Sequence, residues 1–353
     1  MEKNGQSTGV LINGAGPSGL MLACQLAIHN IPFRIIDKKL ALSKFSGAMI
    51  IHARTLEIFY QMGISVKVLK EGLIAQKLSL KFNRKTTISL HVSNMGGNLT
   101  LFPYMLLLEQ WKLEMLLAGF IQSHGYEIER GTTLLSFSQK DGQVTSVLKK
   151  PDGMGEIVHS RFLIGAGGST SLVRRQLRIP FLGKTHPELL FVTDCDANVN
   201  ASHAEMIFAF TREHTLGFFP LPDNRWRIDG KVPQQDKKSE KVTFDYIESQ
   251  LSKSRYFGLL LTDPGWFSIF RSHSRYAPVF RYFNCFLAGD AAHIHSPVES
   301  PSGQFLSPAL RHTGCPLRVS GPDTPAAQLP QRREWPGRSR LRRLRGRPSH
   351  RRR

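Results

Sequence analysis

Residues 9–37 read GVLINGAGPSGLMLACQLAIHNIPFRIID, and this stretch decides the fold. A short apolar segment enters the glycine turn at residues 14–19, an apolar helical stretch follows, and a second apolar segment ends at Asp37. The order strand, glycine turn, helix, strand predicts a βαβ unit. We therefore expect a chain of the α/β class, with a doubly wound parallel sheet.

Each glycine of the turn has its own task in this interpretation. Gly14 permits the tight turn out of the strand, Gly16 leaves room for a pyrophosphate, and Gly19 lets the helix pack closely on the strand. The N-terminus of the helix then offers free N–H groups and the positive end of its dipole to the phosphates. Pro17 and Ser18 complete the predicted cofactor-binding turn.

The acid at the end of the second strand supports the same interpretation. Asp37 lies 18 residues after Gly19, where a carboxylate can accept hydrogen bonds from an adenosine ribose. An acid here favours an unphosphorylated ribose, which means FAD or NAD rather than NADP. The alternatives at this point are FAD, NAD or a glycine turn without a ligand.

A second motif separates these alternatives through resemblance. Gly289-Asp290-Ala291-Ala292-His293 follows an apolar strand predicted over 283–288. Together with the glycine turn, it resembles the Gly-Asp motif of the FAD-dependent aromatic-ring hydroxylases, flavoprotein monooxygenases of the phenol and hydroxybenzoate hydroxylase type. The resemblance runs to Val298 and implies that the cofactor is FAD, with Asp290 holding a ribityl or ribose hydroxyl.

Other segments are similar to the same family. The segment 52–57 is similar to one whose arginine contacts the flavin, which implies this role for Arg54. The segment 103–114 is similar to a helix start whose glutamine contacts FAD, which implies this role for Gln110. The segment 218–227 resembles strands of a sheet that covers the substrate.

The resemblance also implies an architecture and a reaction. The architecture is a glutathione-reductase-like FAD-binding Rossmann domain with an inserted, mostly β substrate region. In the reaction, NADH or NADPH reduces FAD, a flavin hydroperoxide forms with O2, and one oxygen atom passes to a phenolic or other small aromatic substrate. No catalytic residue is assigned, because His52 and Tyr104 fit a proton-transfer role by residue type alone.

The pattern along the chain predicts the domain limits. We expect the FAD-binding domain over 8–180, with strands at 78–102 joining the substrate sheet. The substrate-covering region follows over 181–280, and 281–298 returns to the FAD-binding domain. An Arg/Pro-rich tail over 299–353 is expected to be disordered. Helices are predicted over 55–62, 109–124 and 171–177.

Two departures from the family pattern bear on activity. The middle motif, usually Gly-Ala-Asp-Gly, reads Gly-Ala-Gly-Gly at 165–168, so Gly167 stands where the family has an acid. A second dinucleotide fingerprint at Gly165 is the alternative interpretation. After Val298 the family pattern stops, which suggests a C-terminally truncated or frame-shifted product. An inactive or FAD-binding-only remnant and a non-hydroxylating flavin oxidoreductase are therefore the alternative functions.

The charge of the chain is unevenly distributed. The 353 residues carry a net charge of +20, and residues 305–353 contribute +11 through 13 arginines and two acids. A basic tail can bind nucleic acid or anionic lipid. Because this composition belongs to the tail alone, we do not assign the function from it.

Composition excludes several other classes. The four cysteines form no CxxC pair, so neither a disulfide framework nor a thiolate zinc site is indicated. His293 and His295 lack nearby Asp, Glu or Cys ligands, so no metal is predicted. No long apolar run or signal peptide is found, so we expect a cytoplasmic protein without membrane contact. The sequence does not define an oligomeric state.

Overall fold

The computed structural model describes residues 6–42, 48–83, 86–232, 242–254 and 256–295, all within the compact unit Met1–Phe305. The predicted tail over 299–353 lies outside the described residues. The helices are α1 (Pro17–Ile28), α2 (Ala53–Gln61), α3 (Ser65–Glu71), α4 (Gln110–Ser123), α5 (Leu172–Gln176) and α6 (Phe244–Ser252). The strands are β1 (Gln6–Asn13), β2 (Phe33–Asp37), β3 (Ile50–Ile51), β4 (Leu73–Ile74), β5 (Lys77–Phe82), β6 (Thr86–His91), β7 (Leu106–Leu107), β8 (Ile128–Arg130), β9 (Thr133–Lys140), β10 (Gln143–Lys149), β11 (Gly155–Gly165), β12 (Leu182–Ala197), β13 (Glu205–Phe210), β14 (Thr215–Pro220), β15 (Trp226–Lys231), β16 (Leu261–Tyr276), β17 (Arg281–Tyr282), β18 (Cys285–Leu287) and β19 (His293–Ile294).

A largely parallel sheet forms the first layer, with the order β17-β18-β11-β1-β2-β8. The strand β1 pairs in parallel with β2 and β11, while β2 pairs with β8 and β11 with β18. The hairpin of β9 and β10 adds to β11. The predicted βαβ unit therefore forms, and the α/β fold class is confirmed.

Both faces of this sheet are covered, as a parallel sheet requires. On one face, buried residues of β1 and β2 pack against α1, α2 and α4, with Leu20, Phe59 and Leu117 among the fully buried side chains. On the other face, Leu11 and Leu163 pack with Val173 of α5. The carboxyl ends of the parallel strands stay available for a site.

A second, mixed sheet has the order β19-β16-β12-β15-β14-β13-β5-β6. One of its faces packs against α6 through a cluster that includes Trp226 and Ile247. The other face packs through Met206 and Phe219 against two residues of a small third sheet and its flank. This sheet has the order β3-β7-β4; Leu107 lies in β7, and Met49 directly precedes β3.

The region 181–280, predicted as mostly β, carries most strands of the second sheet and also contains α6, which Thr243 caps by accepting from the Tyr246 N–H at 3.2 Å. The strand predicted over 283–288 is shorter, because Phe283 has a φ of +49° and turns the chain between β17 and β18. The domain limits given above stay predictions.

The predicted helices at 55–62, 109–124 and 171–177 are present as α2, α4 and α5, with ends shifted by one or two residues. Within the ranges given above, no helix has the length and apolar character needed to cross a membrane.

Candidate cofactor-binding site

The glycine turn between β1 and α1 gives its three glycines different surroundings. A Cβ on Gly14, whose φ is +117°, would collide with the backbone of Ala166, and a Cβ on Gly19 would collide with the carbonyl oxygen of Gly14. A Cβ on Gly16 would meet no atom of the chain within 4 Å. Gly14 and Gly19 therefore serve the packing of the turn, whereas the open space beside Gly16 is available to a ligand.

The start of α1 has the properties of an anion site. Gly16 is the N-cap, Pro17 is the first helical residue, and no acidic residue lies in the first turn. The first intrahelical bond runs from the Leu20 N–H to the Gly16 carbonyl oxygen at 2.9 Å. The helix therefore uses neither the Ser18 nor the Gly19 N–H, and both point with the positive end of the dipole toward the space beside the turn.

Asp37 ends β2 beside this turn. Its Oδ2 accepts a hydrogen bond from the Ala15 N–H at 2.7 Å, and its Oδ1 accepts one from the Lys39 N–H at 2.8 Å. An ionised carboxylate has about four acceptor sites. Each oxygen of Asp37 therefore keeps capacity for a further donor, such as a ribose hydroxyl.

The motif around Gly289 packs directly on the glycine turn. The Ala288 N–H donates to the Gly165 carbonyl oxygen at 3.0 Å, which joins β18 to the end of β11. Gly289 has a φ of +59°, and a Cβ there would collide with the Ser18 side chain. Segments far apart in the sequence thus converge at the carboxyl ends of β1, β11 and β18.

Asp290 lies in the 3₁₀ turn Gly289–Ala291. Burial raises the pKa of its carboxyl, and the charges of His293 and His295 offset part of that rise. Asp290 is nevertheless an exposed residue, so its carboxyl is accessible to a ligand beside the start of α1. Such an acceptor suits a hydroxyl donor on a bound ligand.

The buried Arg174 connects the middle motif to this turn. Its Nη1 donates to the Ala291 carbonyl oxygen at 2.9 Å and its Nη2 to the Ser169 carbonyl oxygen at 2.5 Å. A Cβ on Gly167 would lie 3.6 Å from the Asn13 Nδ2, which is an ordinary contact. Because the φ of Gly167 is not in the left-handed region, the motif has room for the acid that the family pattern carries there.

The two residues predicted to contact the flavin lie on different helices. Arg54 in α2 pairs with Glu57 at 2.9 Å, and its side chain is 72% exposed. Gln110 begins α4, where its Nε2 donates to the Glu114 Oε1 at 2.7 Å. The Gln110 N–H donates to the Ala48 carbonyl oxygen at 3.3 Å, which joins the start of α4 to the segment before α2. Their roles toward a cofactor stay predictions.

His52 and Tyr104 have altered titration. His52 is the N-cap of α2, and burial lowers the pKa of its imidazole. Burial also raises the pKa of the Tyr104 hydroxyl. Both shifts favour the uncharged side chain.

Within the described ranges, no group of three or more His, Cys, Asp or Glu side chains is placed to hold a metal ion. Cys24, Cys195 and Cys285 are buried and free, and burial raises the pKa of each thiol to about 12. These thiols therefore stay protonated at neutral pH.

A polar group on the second sheet has no motif that marks it in the sequence. Arg227 donates through Nε and Nη2 to the two carboxylate oxygens of Asp194, at 2.7 and 2.8 Å. The Trp266 Nε1 donates to Asp194 Oδ2 at 2.6 Å. Asp229 lies two residues after Arg227 in β15. Burial raises the pKa of its carboxyl to about 6, although the Gly217 N–H and the Arg227 charge lower it in part. No motif spacing signals Asp229, because only strand register brings it to this position.

Comparison with known proteins identifies the family of this site. The profile of the family described as FAD binding domain matches residues 7–301. The chain is 31% identical over 307 residues to 6-methylpretetramide 4-monooxygenase from Streptomyces rimosus, covering 86% of this chain and 53% of that protein. It is 32% identical over 303 residues to the uncharacterized aromatic compound monooxygenase YhjG from Bacillus subtilis (strain 168), covering 85% and 59%.

Solved structures share the fold. The p-nitrophenol 4-monooxygenase PnpA from Pseudomonas putida DLL-E4 superposes with a TM-score of 0.72 at 20% identity, over 83% of this chain and 75% of that one. Aklavinone-11 hydroxylase, solved with FAD and aklavinone, has a TM-score of 0.72 at 24% identity, over 84% and 59%. The family match and the relatives named above confirm the resemblance to FAD-dependent aromatic hydroxylases. The chain spans between half and three fifths of the length of the two curated relatives named above.

Proposed function

The chain belongs to the FAD-binding domain family that its residues 7–301 match, and on that premise we propose that it is an FAD-dependent aromatic monooxygenase. It would use NADH or NADPH and O2 to hydroxylate a phenolic or other small aromatic substrate. The observation that carries the proposal is the convergence of the glycine turn, Asp37 and Asp290 at one edge of the parallel sheet, beside a second sheet.

The residues at this edge fit FAD. The space beside Gly16, which a Cβ would fill, suits a pyrophosphate, and the N–H groups of Ser18 and Gly19 would donate to it. Asp37 would accept hydrogen bonds from the adenosine ribose. Asp290 would accept one from the ribityl chain or from a ribose.

Arg54 and Gln110 would lie toward the flavin end of the cofactor. The bond from the Gln110 N–H to the Ala48 carbonyl oxygen holds the start of α4 beside the segment that leads into α2. When bound, FAD would accept two electrons from the reduced nicotinamide and activate O2 for transfer of one oxygen atom to the ring.

The second sheet would cover the substrate. Its face toward β3, β4 and β7 carries Met206 and Phe219, which contact the cluster around Met49 and Leu107. An apolar cover of this kind excludes water from a reacting aromatic ring and strengthens polar interactions within the site. The chain's own residues thus contribute binding, orientation and shielding.

The visible spectrum of the purified protein tests the cofactor, and NAD(P)H consumption tests the reaction. We expect FAD to bind in a one-to-one titration and phenols to accelerate NAD(P)H oxidation with formation of a hydroxylated product. Protein that neither carries nor takes up FAD would overturn the proposal. If phenols leave the rate of NAD(P)H oxidation unchanged, the proposal would be limited to a flavin-binding protein with oxidase activity.

Gly167 favours a second candidate function. Because the family pattern has an acid at this position, its absence supports a chain that binds FAD without hydroxylating a substrate. The product analysis in the same assay separates the two functions, since only the monooxygenase yields a hydroxylated phenol.

A further inference from the structure

Asp229 lies on the face of the second sheet that packs against the small sheet β3-β7-β4. Side chains alternate along a strand, and Trp226 and Ile228 of β15 pack into the cluster on the α6 side. Asp229 therefore belongs to the opposite face. There it is paired across the strands with Gly217 of β14, whose second neighbour along that strand is Phe219.

Phe219 connects this position to the candidate cofactor site. It packs in one cluster with Met49 and Leu107. The carbonyl oxygen of Met49 accepts from the Leu108 N–H at 2.7 Å, two residues before Gln110. The Asp229 carboxyl is thus on the side from which the second sheet would cover a substrate.

The local structure makes room for this carboxyl. A Cβ on Gly217 would collide with the Asp229 Oδ1 and lie 2.9 Å from the Phe219 ring. A glycine opposite Asp229 therefore leaves the carboxyl beside an aromatic ring instead of beneath another side chain. An acid at this place costs stability, which points to a use in binding.

The guanidinium of Arg227, a cation on the same strand, pairs with a different carboxylate. Arg227, two residues along the same strand, gives its guanidinium to Asp194 in a bidentate pair at 2.7 and 2.8 Å. The next charged residue on this face, Lys231, lies 3.8 Å from Glu188. Among the ion pairs formed by the described residues, none includes Asp229.

Resting on the proposed function, we propose that Asp229 accepts the proton of the hydroxyl group on the aromatic substrate. The phenolic O–H bond breaks, its electron pair stays on the oxygen as phenolate, and the proton passes to a carboxylate oxygen of Asp229. The carboxylate first binds the hydroxyl as a hydrogen-bond acceptor and then serves as the catalytic base. The electron-rich phenolate is the form that an electrophilic oxygen attacks most readily.

The charged side chains on the face of Asp229 come from two strands. On its face these are Arg227 and Lys231 of β15 and Asp194 and Glu188 of β12, while the neighbouring residues of β14 are uncharged. Burial outweighs the lowering effects of the Gly217 N–H and of the Arg227 charge, and raises the pKa of Asp229 to about 6. The carboxylate is therefore ionised at neutral pH, with a basicity close to that of an efficient general base.

The test is a calorimetric titration of phenol into the full chain with saturating FAD, between pH 5 and pH 8. Phenol stays neutral in this range because a phenolic hydroxyl has a pKa of about 10. We expect the affinity of the unaltered chain to fall about tenfold from pH 8 to pH 5, as Asp229 takes up its proton. Asp229→Asn should bind phenol about 10- to 100-fold more weakly at pH 8 and lose this pH dependence.

Glu188→Gln is the matched control, an acid-to-amide change on the same sheet that should leave phenol affinity unchanged. Equal affinities of the unaltered chain and Asp229→Asn across the pH range would overturn the assignment, as would the absence of phenol binding at every pH. The flavin spectrum of the same samples reports FAD binding separately. Loss of FAD binding would count against the proposed function, whereas normal FAD binding with no effect of Asp229→Asn would count against Asp229 alone.

Discussion

Replacing Gly16 with valine separates cofactor binding from folding at the glycine turn. Gly16 has φ −81° and ψ −177°, a conformation open to any residue, and no chain atom lies within 4 Å of a Cβ there. Valine is a poorer N-cap than glycine, but it also restricts the unfolded chain. Because these effects oppose each other and each amounts to about 1 kcal/mol, the stability of the cofactor-free chain should change little.

The effect on the cofactor should be much larger. The branched side chain would fill the space beside the Ser18 and Gly19 N–H groups and keep a pyrophosphate from reaching them. A hydrogen bond to a charged group contributes about 1.5–3 kcal/mol, so loss of two costs about 3–6 kcal/mol. This corresponds to a weakening of FAD binding by about 10²- to 10⁴-fold.

Gly19→Ala is the matched control with the opposite expected outcome. Its methyl group would collide with the backbone carbonyl oxygen of Gly14, which cannot rotate away, so overpacking should cost about 1–3 kcal/mol of stability. Thermal unfolding of the cofactor-free proteins and quenching of FAD fluorescence measure the two effects. The placement of the pyrophosphate is wrong if Gly16→Val still binds stoichiometric FAD. If the cofactor-free Gly16→Val protein is much less stable to heat than the unaltered chain, the space beside Gly16 is not open as described.

Three further predictions concern other parts of the molecule. Gly167→Asp should strengthen FAD binding about tenfold or speed flavin reduction in a stopped-flow assay, whereas the uncharged Gly167→Asn should do neither. Equal FAD affinities and reduction rates of the unaltered chain and both variants would show that position 167 is neutral. Asp229→Asn should raise the free energy of unfolding at pH 7 by up to about 3 kcal/mol and leave it unchanged at pH 3. The reason is that the folded pKa of about 6 lies above the unfolded value near 3.8, so the stability contribution of Asp229 is present below the unfolded pKa and is lost as the pH rises through 6. An equal change of the urea midpoint on substitution at both pH values would contradict this. Thr243→Ala should lower the free energy of unfolding by about 1 kcal/mol through loss of the α6 cap, whereas Thr243→Ser should retain the capping hydrogen bond. A denaturant midpoint of Thr243→Ala that is not below those of Thr243→Ser and the unaltered chain would exclude the cap.

Local sequence patterns determined the cofactor-binding half of the fold. The stretch 9–37 contains its own strand, turn, helix and strand, and the contacts that define it are short in sequence. The spacing of Gly14, Gly16 and Gly19 is set by the geometry of one turn. The position of Asp37 follows because a strand of known length must end beside that turn.

Other features required the tertiary structure, because they depend on contacts between distant segments. The pairing of β5 with β13 joins residues more than a hundred positions apart, and the turn at Phe283 ends a strand that hydrophobicity alone would extend. The contact between Gly289 and Ser18 unites two motifs that the sequence shows only as separate patterns.

Asp229 is the clearest example of a property decided by tertiary structure. In sequence it is one acid in the polar segment Arg227-Ile228-Asp229-Gly230-Lys231, and nothing in its spacing distinguishes it. Strand alternation sets its face, pairing with Gly217 makes room for its carboxyl, and Asp194 engages the guanidinium of Arg227 on the same strand. Burial and charge pairing arise from the whole fold, so they set the chemistry of this carboxyl only after the chain has folded.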